Sequence, residues 1–303
     1  MTGATGFVGG HLLDAAATIG HSVAALTRRP QAPRPGVEWI AGSLDDRPAL
    51  DRLVDGADAV VHVAGVVNAP DAAGFEAGNV LGTGTVLAAA ENARIARFVH
   101  VSSLAAREPR LSHYGASKAR SEALVAASPL SAIIVRPPAI YGPGDRDLLE
   151  MFKMAARGFV LLPPAGRLSL LHAADLARLL VALAAPTAPT GPSAPTETVE
   201  PDDGHPGGWT HREFGTLLGD AVGRRVRLLT MPKPIMTAAA QADLLVRGAR
   251  AKLTPDRAAY FCHPDWVADP DKAVSNALWR ADIATPQGLA GTAAWYRAAG
   301  WLA

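Results

Sequence analysis

The sequence opens with a glycine-rich stretch, Met1-Thr-Gly-Ala-Thr-Gly-Phe-Val-Gly-Gly10, that runs directly into residues of helical periodicity. In such a loop Gly3 allows a tight turn, Gly6 lets the backbone approach a pyrophosphate, and Gly9 permits close packing of the helix. The N–H groups and the positive dipole end of the following helix also favour phosphate. The stretch therefore indicates a dinucleotide-binding turn, although a glycine-rich turn without a ligand can have the same spacing.

Beyond this loop, short β-branched runs alternate with Ala- and Leu-rich runs of helical period. This alternation is typical of a parallel sheet with crossover helices, so we expect an α/β fold of the doubly wound Rossmann kind. We predict strands at residues 22–27, 37–41, 59–64, 98–102 and 132–135. We predict helices at residues 9–19, 46–54, 75–92 and 114–127.

The pattern changes after about residue 180. Six prolines between residues 186 and 208, without apolar periodicity, predict a surface loop. Thr210 and Glu213 have the spacing of a capping box for a helix over residues 212–222, and a longer helix is expected over residues 235–252. We therefore divide the chain into a nucleotide-binding domain, 1–180, and a smaller, mostly helical substrate lobe, 181–303.

Composition limits the partners of the protein. With 303 residues, 49% of them hydrophobic, and a net charge of +1, the chain lacks the dense basic surface of a nucleic-acid binder. Cys262 is the only cysteine, which fits a reducing compartment and leads us to expect a cytoplasmic location. The longest apolar run is too short to cross a bilayer. We expect a small-molecule substrate, with neither nucleic acid nor a membrane as partner.

The beginning of the chain departs from a complete fold of this kind. A central buried strand of about five or six residues should precede the first glycine, yet only Met1 and Thr2 do. Burying five aliphatic side chains contributes on the order of 10 kcal/mol, comparable with the net stability of a domain. We therefore expect the first strand to be missing here and the natural polypeptide to begin upstream of Met1.

Further motifs follow one another in a fixed order. They are TGATGFVGG (2–10), VHVAG (61–65), NVLGT (79–83), VSS (101–103), YGASK (114–118) and RPPAIYGPG (136–144). Together they resemble the extended or atypical short-chain dehydrogenase/reductases, including the NAD-dependent epimerase/dehydratase family and its dihydroflavonol-reductase-like branch. The resemblance covers most of the chain. It implies an NAD(P)-binding Rossmann domain at 1–180, and a homodimer as a family expectation.

The pair Tyr114 and Lys118 can be interpreted without the family. Their four-residue spacing places both side chains on one helical face. A phenol is a poor base at neutral pH, but a neighbouring ammonium favours the phenolate and makes proton transfer feasible. The resemblance implies that Tyr114 exchanges a proton with the substrate oxygen, that Lys118 also holds the nicotinamide ribose, and that Ser103, rather than Ser102, hydrogen-bonds the substrate. The resemblance implies that Asn79 organises a water molecule, and the alternative is that it caps the helix that follows.

The predicted strand over residues 22–27, which would be the second strand of a complete Rossmann fold, indicates which cofactor is bound. It ends Ala25-Leu-Thr-Arg-Arg29, where an NAD enzyme would have an acidic residue, so we favour NADP and keep NAD open. Arg28 and Arg29 could instead belong to a solvated loop. The family's Gly-Asp at the adenine edge is replaced by Gly42-Ser43. The expected cofactor-binding residues are Gly3, Gly6, Phe7, Val8, Arg28, Leu44, Ala64, Gly65, Asn79, Tyr114, Lys118 and Pro137.

These features predict an oxidoreductase that transfers hydride between nicotinamide and a carbonyl or alcohol. The alternatives are a nucleotide-sugar epimerase or dehydratase, and a non-catalytic NADPH-binding protein on the same fold. The nine histidines lack metal-ligand spacing, so no metal is assigned. An apolar substrate cleft is expected from four large side chains, Phe152, Phe159, Leu161 and Leu162.

Overall fold

The computed structural model describes residues 1–185, 196–248, 251 and 253–302. The strands in chain order are β1 (Val23–Thr27), β2 (Val37–Ala41), β3 (Ala59–His62), β4 (Arg97–Val101), β5 (Ala132–Val135), β6 (Ala139–Tyr141), β7 (Phe159–Leu162), β8 (Arg167–Leu168), β9 (Leu170–His172), β10 (Glu197–Val199), β11 (Trp209–Thr210), β12 (Arg227–Thr230) and β13 (Asp265–Trp266).

The α-helices are α1 (Phe7–Thr18), α2 (Arg47–Val54), α3 (Ala72–Phe75), α4 (Gly82–Asn92), α5 (His113–Ala127), α6 (Leu149–Ala156), α7 (Ala173–Ala184), α8 (His211–Val222), α9 (Lys233–Arg247), α10 (Pro255–Phe261) and α11 (Thr285–Ala298). A π-helical segment, Glu76–Leu81, joins α3 to α4. Among the described residues, 3₁₀ segments lie at Leu104–Arg107 and Pro270–Lys272.

The chain forms two compact units. The first contains residues 1–137, 174–201 and 272–280, and the second contains residues 138–173, 202–271 and 281–303. The units are thus interleaved along the sequence. The sequence-based division into a nucleotide-binding domain, 1–180, and a substrate lobe, 181–303, stays a prediction.

The first unit contains the parallel sheet that the βα alternation predicts. β1 pairs with β2, and β10, β5, β4 and β3 follow one another in a second parallel set. Met1 and Thr2 lie between the two sets: Leu26 N donates to Met1 O on one side, and Thr2 N donates to Val61 O on the other, at 3.0 and 3.1 Å. Even two residues of backbone therefore connect β1 to β3 in Rossmann order.

The five predicted strands of this unit are all present, and two of them, β2 and β5, have the predicted bounds. Every residue of β4 is buried, as is typical of a parallel sheet covered on both faces. The predicted helix over residues 75–92 is divided, because the π-helical segment interrupts the α-helical pattern before α4 begins at Gly82.

The predicted loop over residues 186–208 is wrong in its later part. β10 lies there and pairs with β5 at the edge of the sheet, with Val199 opposite Val135. Three residues are too few to show a strand period among the surrounding prolines, but Val199 is buried and its neighbours complete the ladder. Residues 186–195 lie outside the described residues.

The second unit is built from short sheets and helices around its own core. β6 pairs with β9, β7 pairs with β12, and β11, β8 and β13 form a three-stranded set. The capping box of Thr210 and Glu213 is confirmed at the start of α8. Phe152 and Leu162 are buried in the core of this unit, which corrects the expectation that they line a substrate cleft. Their apolar neighbours on facing helices bury them instead.

Candidate active site

The glycine loop approaches the neighbouring strand as closely as a backbone can. Gly3 has φ +74°, and a Cβ at this position would lie 2.7 Å from Ala64 N. A Cβ on Gly9 would lie 2.0 Å from Gly3 O, well inside van der Waals contact. Only glycine is therefore compatible with the loop at positions 3 and 9.

The N-terminus of α1 is free to receive an anion from a cofactor. Gly6 occupies the N-cap with no side-chain hydrogen bond, and its lack of a Cβ leaves the first turn accessible. Phe7 and Val8 begin the helix, so their N–H groups lack intrahelical acceptors. This arrangement suits a pyrophosphate.

A cleft of about 550 Å³ opens at the ends of β1 and β2. It is lined by Thr27, Arg28, Arg29, Pro30, Gln31, Trp39, Ala41, Gly42 and Ser43. Two of these side chains are cationic and none is acidic, so the lining is complementary to a phosphate and to the face of an adenine ring. Asp45 lies beside the cleft and accepts the hydroxyl of Ser43.

Leu44 points away from this lining. Its side chain packs against the hydrophobic core of the first unit, and its carbonyl accepts a hydrogen bond from Thr85 Oγ1. A Cβ on Gly82 would lie 2.7 Å from Leu44 Cδ1, so α4 passes close to this leucine. Its predicted role as a cofactor-binding residue stays a prediction. At this position the backbone of residues 42–43, rather than the Leu44 side chain, is the part of the chain near the cleft.

Helix α5 presents Tyr114 and Lys118 from successive turns. The helix begins where Ser112 accepts the N–H of Gly115 at 2.9 Å. Tyr114 is half-buried, whereas Lys118 is only 4% exposed and donates from Nζ to Val101 O at 2.7 Å. Burial lowers the pKa of Lys118 to about 8, against a smaller opposing effect of Glu122. The ammonium is therefore still the main form at neutral pH.

Ser102 and Ser103 follow β4 but point to different partners. Ser102 donates to Glu122 Oε1 in the protein interior. Ser103 accepts the N–H of Ala105 at 3.2 Å and caps the 3₁₀ segment. A Cβ on Gly115 would lie 2.6 Å from Ala105 O, so the glycine lets the start of α5 approach the segment that Ser103 begins. The structure thus brings the turns that carry Ser103 and Tyr114 together.

Asn79 lies inside the π-helical segment and caps no helix. Its amide oxygen accepts the N–H of Val66 at 2.6 Å, and its amide nitrogen donates to Val66 O and to Ser117 Oγ at 2.9 and 2.8 Å. A Cβ on Gly65 would lie 3.2 Å from Asn79 Oδ1 and 3.8 Å from Lys118 Nζ. The segment after β3 is therefore held against both Asn79 and Lys118.

A buried chain of hydrogen bonds connects the glycine loop to Asn79 through His62, which sequence reasoning did not select. Ala64 N donates to Thr2 Oγ1, Thr2 contacts His62 Nδ1 at 2.7 Å, His62 Nε2 contacts Thr83 Oγ1 at 3.0 Å, and Thr83 donates to Asn79 O. Burial, with a smaller effect of Lys118, lowers the pKa of His62 to about 3. A neutral imidazole with its proton on Nε2 satisfies every donor in this chain.

An ion-pair network behind α5 also escaped sequence reasoning. Glu122, one turn after Lys118, receives two hydrogen bonds from Arg136, at 2.9 Å from Nε and 2.6 Å from Nη2. Arg136 also reaches Glu200, whose carboxylate is fully buried and meets Arg107 at 3.3 Å. The spacing of Lys118 and Glu122 could have indicated only that Glu122 lies on the same face of α5 as Lys118. Glu200, distant in sequence, gave no such signal.

These observations test whether the residues fit a nicotinamide dinucleotide. Gly3 lies against Ala64, Gly65 lies beside Lys118, and Lys118 bonds to the end of β4 next to Ser103. Pro137 joins this group, since its carbonyl accepts the N–H of Leu104 at 3.2 Å. Three features suit such a cofactor. The N-terminus of α1 has no side-chain cap and suits the pyrophosphate, the cleft beside β1 and β2 is cationic, and Lys118 supplies a buried ammonium. Within the described ranges, no group of three metal-ligating side chains occurs.

The fold and this site define an enzyme of the NAD(P)-dependent reductase/epimerase kind. The model of the NAD dependent epimerase/dehydratase family matches residues 1–192, and the chain belongs to this family. Among curated proteins it is 41% identical to a ceramide reductase of Caulobacter vibrioides, over 100% of this chain and 95% of that protein. It therefore binds a nicotinamide cofactor, as its family does.

Other relatives are similar over part of their length or in fold alone. A 4-hydroxy-2-methyl-3-oxo-4-farnesyl-3,4-dihydroquinoline-1-oxide ketoreductase of Stigmatella aurantiaca is 39% identical, over 52% of this chain and 54% of that protein. The structure of WbmG from Bordetella bronchiseptica with NAD and UDP has a TM-score of 0.74 at 20% identity, over 99% of this chain and 95% of that one. No helix among the described residues has the length and apolar character to cross a membrane.

Proposed function

We propose that the protein is a carbonyl reductase that uses NADPH in preference to NADH and acts on a ketone carried by a long-chain lipid. The observation that carries the proposal is the pair Tyr114 and Lys118 on α5, with the Lys118 ammonium buried and held by Val101 O at 2.7 Å. When bound, the reduced nicotinamide supplies the hydride. The residues of this chain then have to orient the ketone and deliver a proton to its oxygen.

Proton delivery is assigned to the Tyr114 hydroxyl. As the ketone oxygen gains negative charge it takes the phenolic proton, and the positive charge of Lys118 stabilises the phenolate that remains. Ser103 donates a hydrogen bond to the same oxygen in the proposal, which lowers the energy of the developing alkoxide. Ser102 is engaged with Glu122 and takes no part.

The choice of NADPH is supported by the cleft at the ends of β1 and β2. Arg28 and Arg29 are exposed on its rim, and its lining contains no carboxylate to bond a free ribose hydroxyl. A guanidinium can bind the 2′-phosphate through two parallel hydrogen bonds. We assign this contact to Arg28.

The substrate class is inferred from the reductase relatives. The names of the two compared reductases refer to a ceramide and to a quinoline oxide that carries a farnesyl chain. The greater of the two identities extends over the entire chain, including the second unit. A reductase of a lipid ketone is therefore favoured over the sugar epimerases that share the fold.

The test is steady-state turnover with NADPH and NADH on ketones of increasing chain length and on nucleotide sugars. We expect ketone-dependent NADPH oxidation that rises with chain length and is lost in Tyr114→Phe and Ser103→Ala. Arg28→Ala should raise KM for NADPH and leave KM for NADH unchanged, whereas Arg34→Ala, in the same loop but outside the cleft, should change neither. Sugar conversion without net cofactor oxidation would refute the reductase.

A further inference from the structure

Helix α9 is buried on a narrow side only. Of its fifteen residues, Met236 and Ala240 are the only two that are buried. Ile235, Leu245 and Val246 are instead 58%, 85% and 82% exposed. An exposed helix in a water-facing position normally carries polar side chains on its outer face, so this distribution needs an explanation.

Five exposed apolar residues of α9 form one stripe, whereas Leu244, 40% exposed, lies on the other side of the helix. At about 100° per residue, Ile235, Ala238, Ala242, Leu245 and Val246 lie within a sector of about 100°. This stripe is opposite Met236 and Ala240, and Ala238 and Ala242 are exposed as well. The charged residues of the helix, Lys233, Asp243 and Arg247, all lie outside the sector. Over a length of about 22 Å the outer face of α9 is therefore uncharged.

The sequence from the segment before α9 to the end of that helix is rich in basic residues. Residues 223–247 contain five cations, Arg224, Arg225, Arg227, Lys233 and Arg247, all exposed, against the single acid Asp243. The protein as a whole has a net charge of only +1, so these cations are a local concentration. In the preceding strand, Arg227 shares its face of β12 with Leu229, which is exposed beside its partner Leu161.

We propose that α9 docks on the surface of an anionic lipid bilayer, with the stripe inserted among the headgroups and acyl chains. An apolar face, with the cations of the helix on its other side and further cations in the segment before it, is the pattern of helices that lie in a membrane interface. The cations complement acidic lipids. This inference rests on the proposed function in one respect: a lipid ketone resides in a membrane, so docking brings the enzyme to its substrate.

A second copy of the chain fits this face less well. In a two-fold contact each stripe would meet the other, and the same basic segments would face one another across the interface. Like charges opposed in this way disfavour association. The bilayer satisfies both the apolar stripe and the charge around it. The sequence-based expectation that no membrane is a partner considered only spanning segments, and surface docking is a different mode of contact.

The experiment is flotation of the full chain with vesicles, in the absence of substrate and cofactor. The vesicles are either phosphatidylcholine alone or an equimolar mixture with phosphatidylglycerol. We expect binding to the mixed vesicles, at least tenfold weaker binding to phosphatidylcholine, and release by salt. The double variant Leu245→Glu/Val246→Glu should lose at least ninety per cent of the bound fraction.

Gln241→Glu is the control for added negative charge, because it introduces one glutamate into the same helix outside the stripe, where the double variant introduces two inside it. It should retain binding. The milder pair Leu245→Gln/Val246→Thr serves if the double glutamate variant unfolds, as judged by circular dichroism, and should weaken binding in the same direction.

Three results would overturn docking: no binding of the unchanged chain to mixed vesicles, equal binding by the double variants, or a dimer in light scattering that the double variants make monomeric. Turnover of a dispersed short-chain ketone is measured in parallel. If the unchanged protein does not turn over this ketone, the proposed function is refuted. If it turns over the ketone but does not bind the mixed vesicles, only the docking is refuted.

Discussion

Replacing Lys118 with Met should separate the role of this lysine in catalysis from its cost to stability. The side chain is almost completely buried, and burial moves the pKa of its ammonium from 10.5 to about 8. A shift of that size corresponds to about 3 kcal/mol by which folding disfavours the charged form at pH 7, where both states are protonated. Met has a similar volume and no charge to bury.

The loss of the hydrogen bond to Val101 O offsets part of this gain. An acceptor left without its donor costs about 1–3 kcal/mol. The net change in the free energy of unfolding at pH 7 should therefore be between zero and about 2 kcal/mol in favour of Met, while ketone reduction falls by at least a hundredfold because the Tyr114 phenolate loses its charge partner.

The dependence on pH isolates the effect of the charge. Because the folded pKa lies below the unfolded one, the unfolded state binds more protons between about pH 8 and 10.5, and the stability of the unchanged protein rises with pH in that window. The advantage of Lys118→Met should then shrink by about 2 to 3 kcal/mol between pH 7 and pH 10.

The measurement is urea denaturation of both proteins at these two pH values. Lys153→Met, on a side chain that remains in contact with solvent, is the control and should show no such trend. A stability difference between the Lys118 variant and the unchanged protein that is the same at pH 7 and pH 10 would refute the reasoning.

Three further predictions follow from the same unit. Gly9→Ala should lower the free energy of unfolding by about 3 kcal/mol and abolish NADPH binding, because its Cβ would lie 2.0 Å from Gly3 O. Gly10→Ala is the control: its Cβ would have nothing within 4 Å, so it should stabilise α1 by about 0.5–1 kcal/mol. Similar changes in melting temperature for the two variants would contradict this. Glu122→Gln removes the charge that pairs with Arg136 and should lower the free energy of unfolding by about 3 kcal/mol in urea denaturation. Glu91→Gln, at a half-buried carboxylate that accepts the hydroxyl of Ser128, is the comparison and should cost less. Ketone reduction at saturating NADPH should decline above about pH 8 as Lys118 loses its proton, and a rate that stays flat to pH 10 would argue against its role.

The parallel sheet could be predicted because each of its strands has a local signature. β4 and β5 are short apolar runs between helical patterns, and burial on both faces is what such runs require. β10 could not be predicted, because three residues after a proline-rich segment have no period of their own and become a strand only beside β5. The π-helical turn around Asn79 was equally invisible, since one extra residue per turn leaves the apolar pattern almost unchanged.

By itself the sequence determined the elements of the candidate site, because the chemistry of the glycine loop and of Tyr114 and Lys118 lies in spacings of three and four residues along the chain. Tertiary structure alone decided how these elements are held together. The chain of hydrogen bonds through His62 and the pairing of Arg136 with Glu122 and Glu200 join residues 14 to 64 positions apart. The apolar outer face of α9 likewise became evident only when its other side was packed, because burial is a property of the folded chain and periodicity cannot tell which side of a helix meets solvent.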